Sequence, residues 1–204
     1  PILGGIIFFL NFISLSIYQV IFLNEFLFLK IDLYKTREIV SILFLILSFF
    51  LLGIFDDKYN LSPIKKIFLS FILIIISLSL NHTLKISEIS VSFYNHKIFF
   101  EHFSLIFTVF CFLILMNSLN FYDGINGQSC IFFIIIFSYL LIKFDFHYFY
   151  LAIIFIISLI LILNLRNKIF LGDGGIFILS VIVSVSIIYE YNYLGNIKIA
   201  DEIF

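Results

Sequence analysis

The chain of 204 residues predicts an all-α polytopic membrane protein, with about seven transmembrane helices and the start of an eighth. Three observations predict it. Hydrophobic residues make up 63% of the chain and charged residues 12%, with a mean hydropathy of +1.20; soluble domains lie nearer half apolar and a quarter charged. Apolar runs recur at lengths near those needed to cross a bilayer. No Asp, Glu, Lys, Arg or His falls inside the cores of those runs, so the charges lie in the connections.

The runs cover residues 5–23, 39–55, 67–80, 104–119, 129–142, 148–163 and 176–189, and an eighth begins near Ile197. Several are shorter than about 20 residues, so their helices must extend into flanking polar residues. The third run has a clear start: Pro63 suits a first helical turn, with Ser62 as N-cap. Residues 81–102 alternate apolar and polar side chains (Leu84, Ile86, then Ile89, Val91, Phe93). This predicts a small β-hairpin lying against the membrane, with Tyr94-Asn95-His96 as its turn. The first residue is Pro1 rather than Met, so the chain reads as a fragment. Cys111 and Cys130 sit in apolar runs and read as small buried side chains, with no metal-ligand spacing. The net charge of −1 and the lack of a basic run give no reason to expect a nucleic-acid partner.

Counting crossings places four segments on one face: residues 1–5, 56–66, 117–128 and 164–175. They hold Gly4-Gly5, Asp56-Asp57, an Asn/Asp/Gly-rich stretch, and Gly172-Asp173-Gly174-Gly175. His82, His96, His102 and His147 fall on the opposite face, where they read as interfacial. Lys and Arg are more numerous on that opposite face, which by the positive-inside rule argues weakly against a cytoplasmic converging face.

The converging segments carry the chemistry. A stretch with three asparagines, an aspartate and two glycines does not belong in hydrocarbon, where unpartnered polar groups cost several kcal/mol or so each. It is either a polar turn or a binding site. Asn120 and Asp123 are three apart and share a face on a helical turn. Gly124 and Gly127 flank Asn126 and let backbone amides approach a ligand. Asp56 and Asp57 repel each other, so a cation is expected nearby. Lys65 and Lys66 stand at a helix N-terminus, a setting suited to phosphate. Asp173 and the asparagine oxygens are hard ligands that suit Mg²⁺, and Phe170 offers a face for stacking a base. Ion-coupled transport, the rival reading, places ionisable groups inside the bilayer; the uncharged helix cores disfavour it.

Taken in order, these segments resemble the polyprenyl-phosphate N-acetylhexosamine-1-phosphate transferase family. Pro1-Ile2-Leu3-Gly4-Gly5 matches its Pro-x-x-Gly-Gly. Asp56-Asp57, with Leu61-Ser62-Pro63 and Lys66, matches its Asp-Asp loop. The spacing Asn117-x-x-Asn120-x-x-Asp123-Gly124-x-Asn126-Gly127 matches its nucleotide loop, and Phe170-Leu171-Gly172-Asp173 its Phe-x-Gly-Asp. The resemblance implies a single transferase domain over residues 1–204, lacking the family's first helix and its C-terminal helices.

It also implies roles. Asn120 and Asp173 would bind Mg²⁺, or Mn²⁺ in its place, with the sugar-nucleotide pyrophosphate. Asp123 belongs to that nucleotide loop and fits the bacterial pattern. Asn126 and the Gly124 backbone would hold uracil, with Phe170 stacked on it. Lys66 would touch phosphate, and Asp56 and Asp57 would act near the acceptor. The implied partners are a UDP-N-acetylhexosamine, polyprenyl phosphate lipid and the membrane, with a homodimer as a compatible assembly. The implied setting is the bacterial inner (plasma) membrane, multi-pass, with the active face cytoplasmic and the hairpin periplasmic. Departures are Asn126, where bacterial members usually carry Asp, and Asn60, where some carry a third Asp. An inactive truncated homologue is the alternative to an enzyme. The muramyl-pentapeptide branch ranks behind the other branch, on residues 1–5 and the Asp-Asp loop.

Overall fold

Seven apolar helices follow one another along the described chain. The computed structural model describes residues 3–27, 29–30, 36–91, 94–122, 126–143 and 147–194. The helices are α1 (Gly4–Tyr18), α2 (Thr36–Tyr59), α3 (Pro63–Leu80), α4 (Ser104–Tyr122), α5 (Gln128–Lys143), α6 (Tyr148–Leu165) and α7 (Gly172–Leu194). Six spans are long and apolar enough to cross a membrane: Gly4–Leu23, Thr36–Tyr59, Pro63–Leu80, Glu101–Tyr122, Tyr148–Leu165 and Gly172–Asn192. The shorter α5 has 16 residues, about 24 Å of helix against a hydrocarbon core of about 30 Å. The expected eighth helix lies outside the described residues.

The fold is built around α7. Its flanks are covered by α1, α2 and α4, with a smaller contact from α5, and the outer helices pack in neighbouring pairs. Small residues let these neighbours come close. Gly174, Gly175, Ser180, Ser184 and Ser186 all lie on α7 and are buried. Ser180 and Ser184 donate their hydroxyls back to the carbonyls of Ile176 and Ser180 (2.7 and 2.8 Å), so they need no outside partner. The outer helices turn Leu10, Leu47, Phe68, Phe110, Ile135 and Phe155 outward, as expected for helices that meet lipid on one side.

The sequence boundaries extend into polar residues. Helix α2 runs on through Asp56, Asp57 and Lys58 to Tyr59. Helix α4 takes in Asn117 and Asn120, so the first part of the expected polar loop is helical. Asn117 makes this tolerable by donating its side-chain amide to the Leu113 carbonyl at 2.7 Å. Pro63 opens α3 as expected, but the Ser62 side chain makes no capping bond.

At the far end, α1 closes in a π-helical turn, Gln19–Leu23. A short ladder follows that the sequence did not show, β1 (Glu25–Phe26) against β2 (Leu29–Lys30). The larger hairpin is present: β3 (Glu88–Val91) pairs antiparallel with β4 (Tyr94–Phe99). Tyr94 pairs with Val91, so Tyr94-Asn95-His96 opens the second strand instead of forming the turn. Ser104 donates to the Ile86 carbonyl and Thr108 Oγ1 accepts from Ile86 N–H (both 2.8 Å), which fastens the hairpin to α4. His82 and His102 are exposed. His147 caps α6 with Nδ1 (3.3 Å from Phe149 N) and sets Nε2 3.4 Å from Glu25 Oε2. Burial holds its imidazole below its ordinary value, against the opposing pull of Glu25.

Candidate active site

Glycines set the geometry. The Gly4 N–H donates to the Phe170 carbonyl at 2.9 Å. A Cβ on Gly4 would lie 2.4 Å from that oxygen, one on Gly5 2.5 Å from Gly175 N, and one on Gly53 2.4 Å from the Gly174 Cα. The start of α1 and the end of α2 thus touch the first turn of α7 backbone to backbone. Gly172 enters α7 at φ +68°, a left-handed turn that glycine makes without strain.

This contact places Asp57 on the amino end of α7. Its Oδ1 accepts from the Asp173 N–H (2.9 Å) and its Oδ2 from the Gly174 N–H (3.2 Å). A carboxylate from one helix therefore caps another, satisfying two of the orphan N–H groups and facing the positive end of its dipole. Asp57→Ala is expected to cost about 1–2 kcal/mol of stability and to loosen the first turn of α7. Hydrogen exchange should show faster exchange at the Asp173 and Gly174 amides and little change near Tyr189.

Asp56 points the other way. Its Oδ1 accepts from the Leu61 N–H at 3.0 Å, and the Asn60 N–H donates to its backbone carbonyl at 2.8 Å, closing the turn into α3. Its side chain is only 3% exposed and is ion-paired with Lys66. The Lys66 ammonium also lies 3.1 Å from Asp173 Oδ2 and 5.7 Å from the centre of the Phe177 ring. The cation expected beside the paired acids is thus Lys66, delivered by the first turn of α3. Lys65 is exposed.

Asp56, Asp57, Lys66 and Asp173 form one cluster drawn from three helices. Asn120 stands half-buried on the last turn of α4, a helix packed against α7. Asn126 is exposed and donates its side-chain amide to Asn167 Oδ1, tying the start of α5 to the turn before Phe170. Phe170 is half-buried. Asp123 and Gly124 lie outside the described residues. Sequence reasoning missed Gly53 and Asn167. An isolated glycine in an apolar helical run is a signal of close packing; Asn167 at φ +55° carries none beyond the tolerance of asparagine for that conformation.

The donor set limits what metal fits. Among the described residues no three His, Cys, Asp or Glu side chains gather to hold an ion. Asp57 is committed to α7 and Asp56 is buried. Asp173 is 28% exposed, and its carboxylate is engaged by Lys66 and Asp56. One carboxylate and one asparagine oxygen suit Mg²⁺, which takes few protein ligands and completes its shell with water and substrate phosphate. The residues fit a metal that arrives with a diphosphate.

The family model described as glycosyl transferase family 4 matches residues 39–190. A phospho-N-acetylmuramoyl-pentapeptide-transferase of Dictyoglomus thermophilum is 27% identical over 209 residues, covering 95% of this chain and 61% of the relative. The chain thus spans under two thirds of that relative, whose name belongs to the branch that the sequence ranked second. The matched residues hold Asp56-Asp57, Lys66, Asn120 and Asp173 within one bundle of membrane-spanning length, and the chain belongs to glycosyl transferase family 4.

Proposed function

We propose that this chain forms the catalytic part of a transferase that moves N-acetylhexosamine-1-phosphate from a UDP-sugar to polyprenyl phosphate. The reaction releases UMP and begins a cell-envelope glycan. The observation that carries the reading is the cluster at one mouth of the bundle, where Lys66 bridges Asp56 and Asp173 while Asp57 fixes the α7 terminus. Family membership supports the reaction class. The cluster end then faces the cytoplasm of a bacterial inner membrane, where UDP-sugars are available.

The acceptor is a phosphate monoester, with a second pKa near about 6, so it is largely ionised at neutral pH. A base has little to remove. The work lies in gathering and orienting negative groups. Lys66 has three N–H donors; two are directed at Asp56 and Asp173, which leaves the third for a phosphoryl oxygen. On this reading Asp56 or Asp57 acts near the acceptor, Asp56 through Lys66 and Asp57 through the α7 terminus that it fixes, and one of them accepts any residual proton. Asn120 and Asp173 would hold Mg²⁺, which would supply charge neutralisation for the pyrophosphate and the departing UMP. Asn126, braced by Asn167, and Phe170 receive the uracil.

The test is direct. Membranes expressing the complete reading frame are given polyprenyl phosphate, Mg²⁺ and radiolabelled UDP-GlcNAc, with UDP-MurNAc-pentapeptide as a second donor because the relative's name points to it. Labelled lipid and UMP are expected from one of them. Asp173→Asn and Asn120→Ala should each lower turnover by on the order of 10²-fold, as for lost metal or second-shell ligands, and raise the Mg²⁺ needed for half-maximal rate. Normal Mg²⁺ dependence in both variants would remove these residues from metal binding. Absence of labelled lipid with either donor would leave the inactive homologue standing.

A further inference from the structure

The end of the bundle opposite the carboxylate cluster holds two adjoining cavities of opposite character. One, of about 670 Å³, is polar and lies between the hairpin, the start of α4 and the end of α7. The other, of about 360 Å³, is an apolar slot between α4 and α7. Both volumes fall in the range of small-molecule sites. Ser90 and Tyr191 line both cavities, so the two adjoin there.

The slot follows helical spacing on both walls. Phe107, Cys111 and Leu115 recur every fourth residue on α4, and Ser184, Ile187 and Ile188 face them from α7. Its mouth is pinned: Ser90 N–H donates to the Tyr191 hydroxyl (3.0 Å), and Asn192 donates to the carbonyls of Thr83 (2.6 Å) and Lys85 (2.9 Å). In the polar cavity Lys97 and Glu88 neutralise each other. The Lys85 ammonium instead lies 3.0 Å from His82 Nδ1 and forms no ion pair among the described residues. Glu101, on the same wall, is held at φ +40°, a strained conformation of the kind that gathers at binding sites.

The polar cavity balances two lysines against two glutamates, and Lys85, beside His82, is its unpaired cation among the described residues; with an adjoining oily slot running into the bundle, it complements one chemistry. We infer that this end of the protein binds a glycerophospholipid, with the phosphate against Lys85 and His82 and one acyl chain lying between α4 and α7. The site is at the opposite end from the transfer chemistry and does not depend on it.

The full-length protein, stripped by exhaustive detergent washing, is incubated with mixed micelles containing dioleoylphosphatidylglycerol, and bound lipid is counted by native mass spectrometry. One retained lipid per chain is expected. Lys85→Gln should lower retention roughly fivefold, the worth of one lysine beside an anionic headgroup. Cys111→Trp should do the same by filling the slot, while Cys111→Ala keeps the lipid and shows that filling, not misfolding, is the cause. Millimolar inorganic phosphate should leave the lipid in place. Retention at the parent's level in both Lys85→Gln and Cys111→Trp would mean ordinary surface lipid and overturn the assignment. Displacement by inorganic phosphate, or a loss confined to Lys85→Gln, would show a phosphate pocket without a chain slot and overturn it equally.

Discussion

Lys66→Met is expected to destabilise the protein by about 3–5 kcal/mol, the usual consequence of orphaning a buried charge, and to abolish transfer. The reason is local. Asp56 is 3% exposed, so it cannot turn to water when Lys66 is lost. Asp173 loses its ammonium partner in the same step. The double variant Asp56→Asn with Lys66→Met removes the orphan charge, so it should recover much of the stability and none of the activity. Lys66→Arg keeps a cation and should lie nearer the parent in stability. Thermal unfolding in detergent, read as loss of the monodisperse species, ranks the four proteins. If Lys66→Met unfolds with the parent, the ion pair contributes little and the cluster is wetter than its burial says.

Gly53→Val should be as damaging, for a steric reason. The added Cβ would meet the Gly174 Cα at 2.4 Å, and no rotamer moves a Cβ. Reaching contact near 3.5 Å requires the helices to part by roughly 1 Å. That shift falls where Asp57 reaches the Asp173 and Gly174 amides, so the cap is lost with the packing. Transfer should fall by at least about 10²-fold, since misplacement of this size carries such a penalty. Gly53→Ala places the same Cβ and should share most of the effect. Ser48→Val, five residues earlier on α2 and only partly buried, is the control and should stay near the parent. Near-normal activity in Gly53→Ala would mean that α2 and α7 can separate without harm.

The helices were legible because hydrocarbon forbids charge and irregular backbone over their length, which leaves long uninterrupted runs. Their ends were not. Asp56 and Asp57 read as loop residues because the groups that hold them, the Leu61 N–H and the first amides of α7, come from other parts of the chain. Asn117 and Asn120 fall in a stretch that reads as either a polar turn or a binding site, outside the apolar run; the bond from Asn117 to the Leu113 carbonyl keeps the former inside the helix. Alternation revealed the hairpin but not its register, since a shift moves Tyr94 from turn to strand without changing the pattern. The short ladder of Glu25–Phe26 on Leu29–Lys30 offers too few residues for any pattern. The candidate site was legible as a list of residue types. That Asp57 serves α7 became visible only once α2 and α7 were seen to touch through Gly53 and Gly174.

That carboxylate also bears on the order of events at the mouth of the bundle. An open helix terminus greets anions; here the terminus is already answered from within the chain. The surroundings set three aspartates against a single lysine, with Asp56 and Asp173 hydrogen-bonded to each other. In the proposed reaction, a nucleotide diphosphate already cloaked by a divalent cation would meet this patch more readily than a bare one. On that proposal the cluster would act as a filter on the state in which the donor arrives.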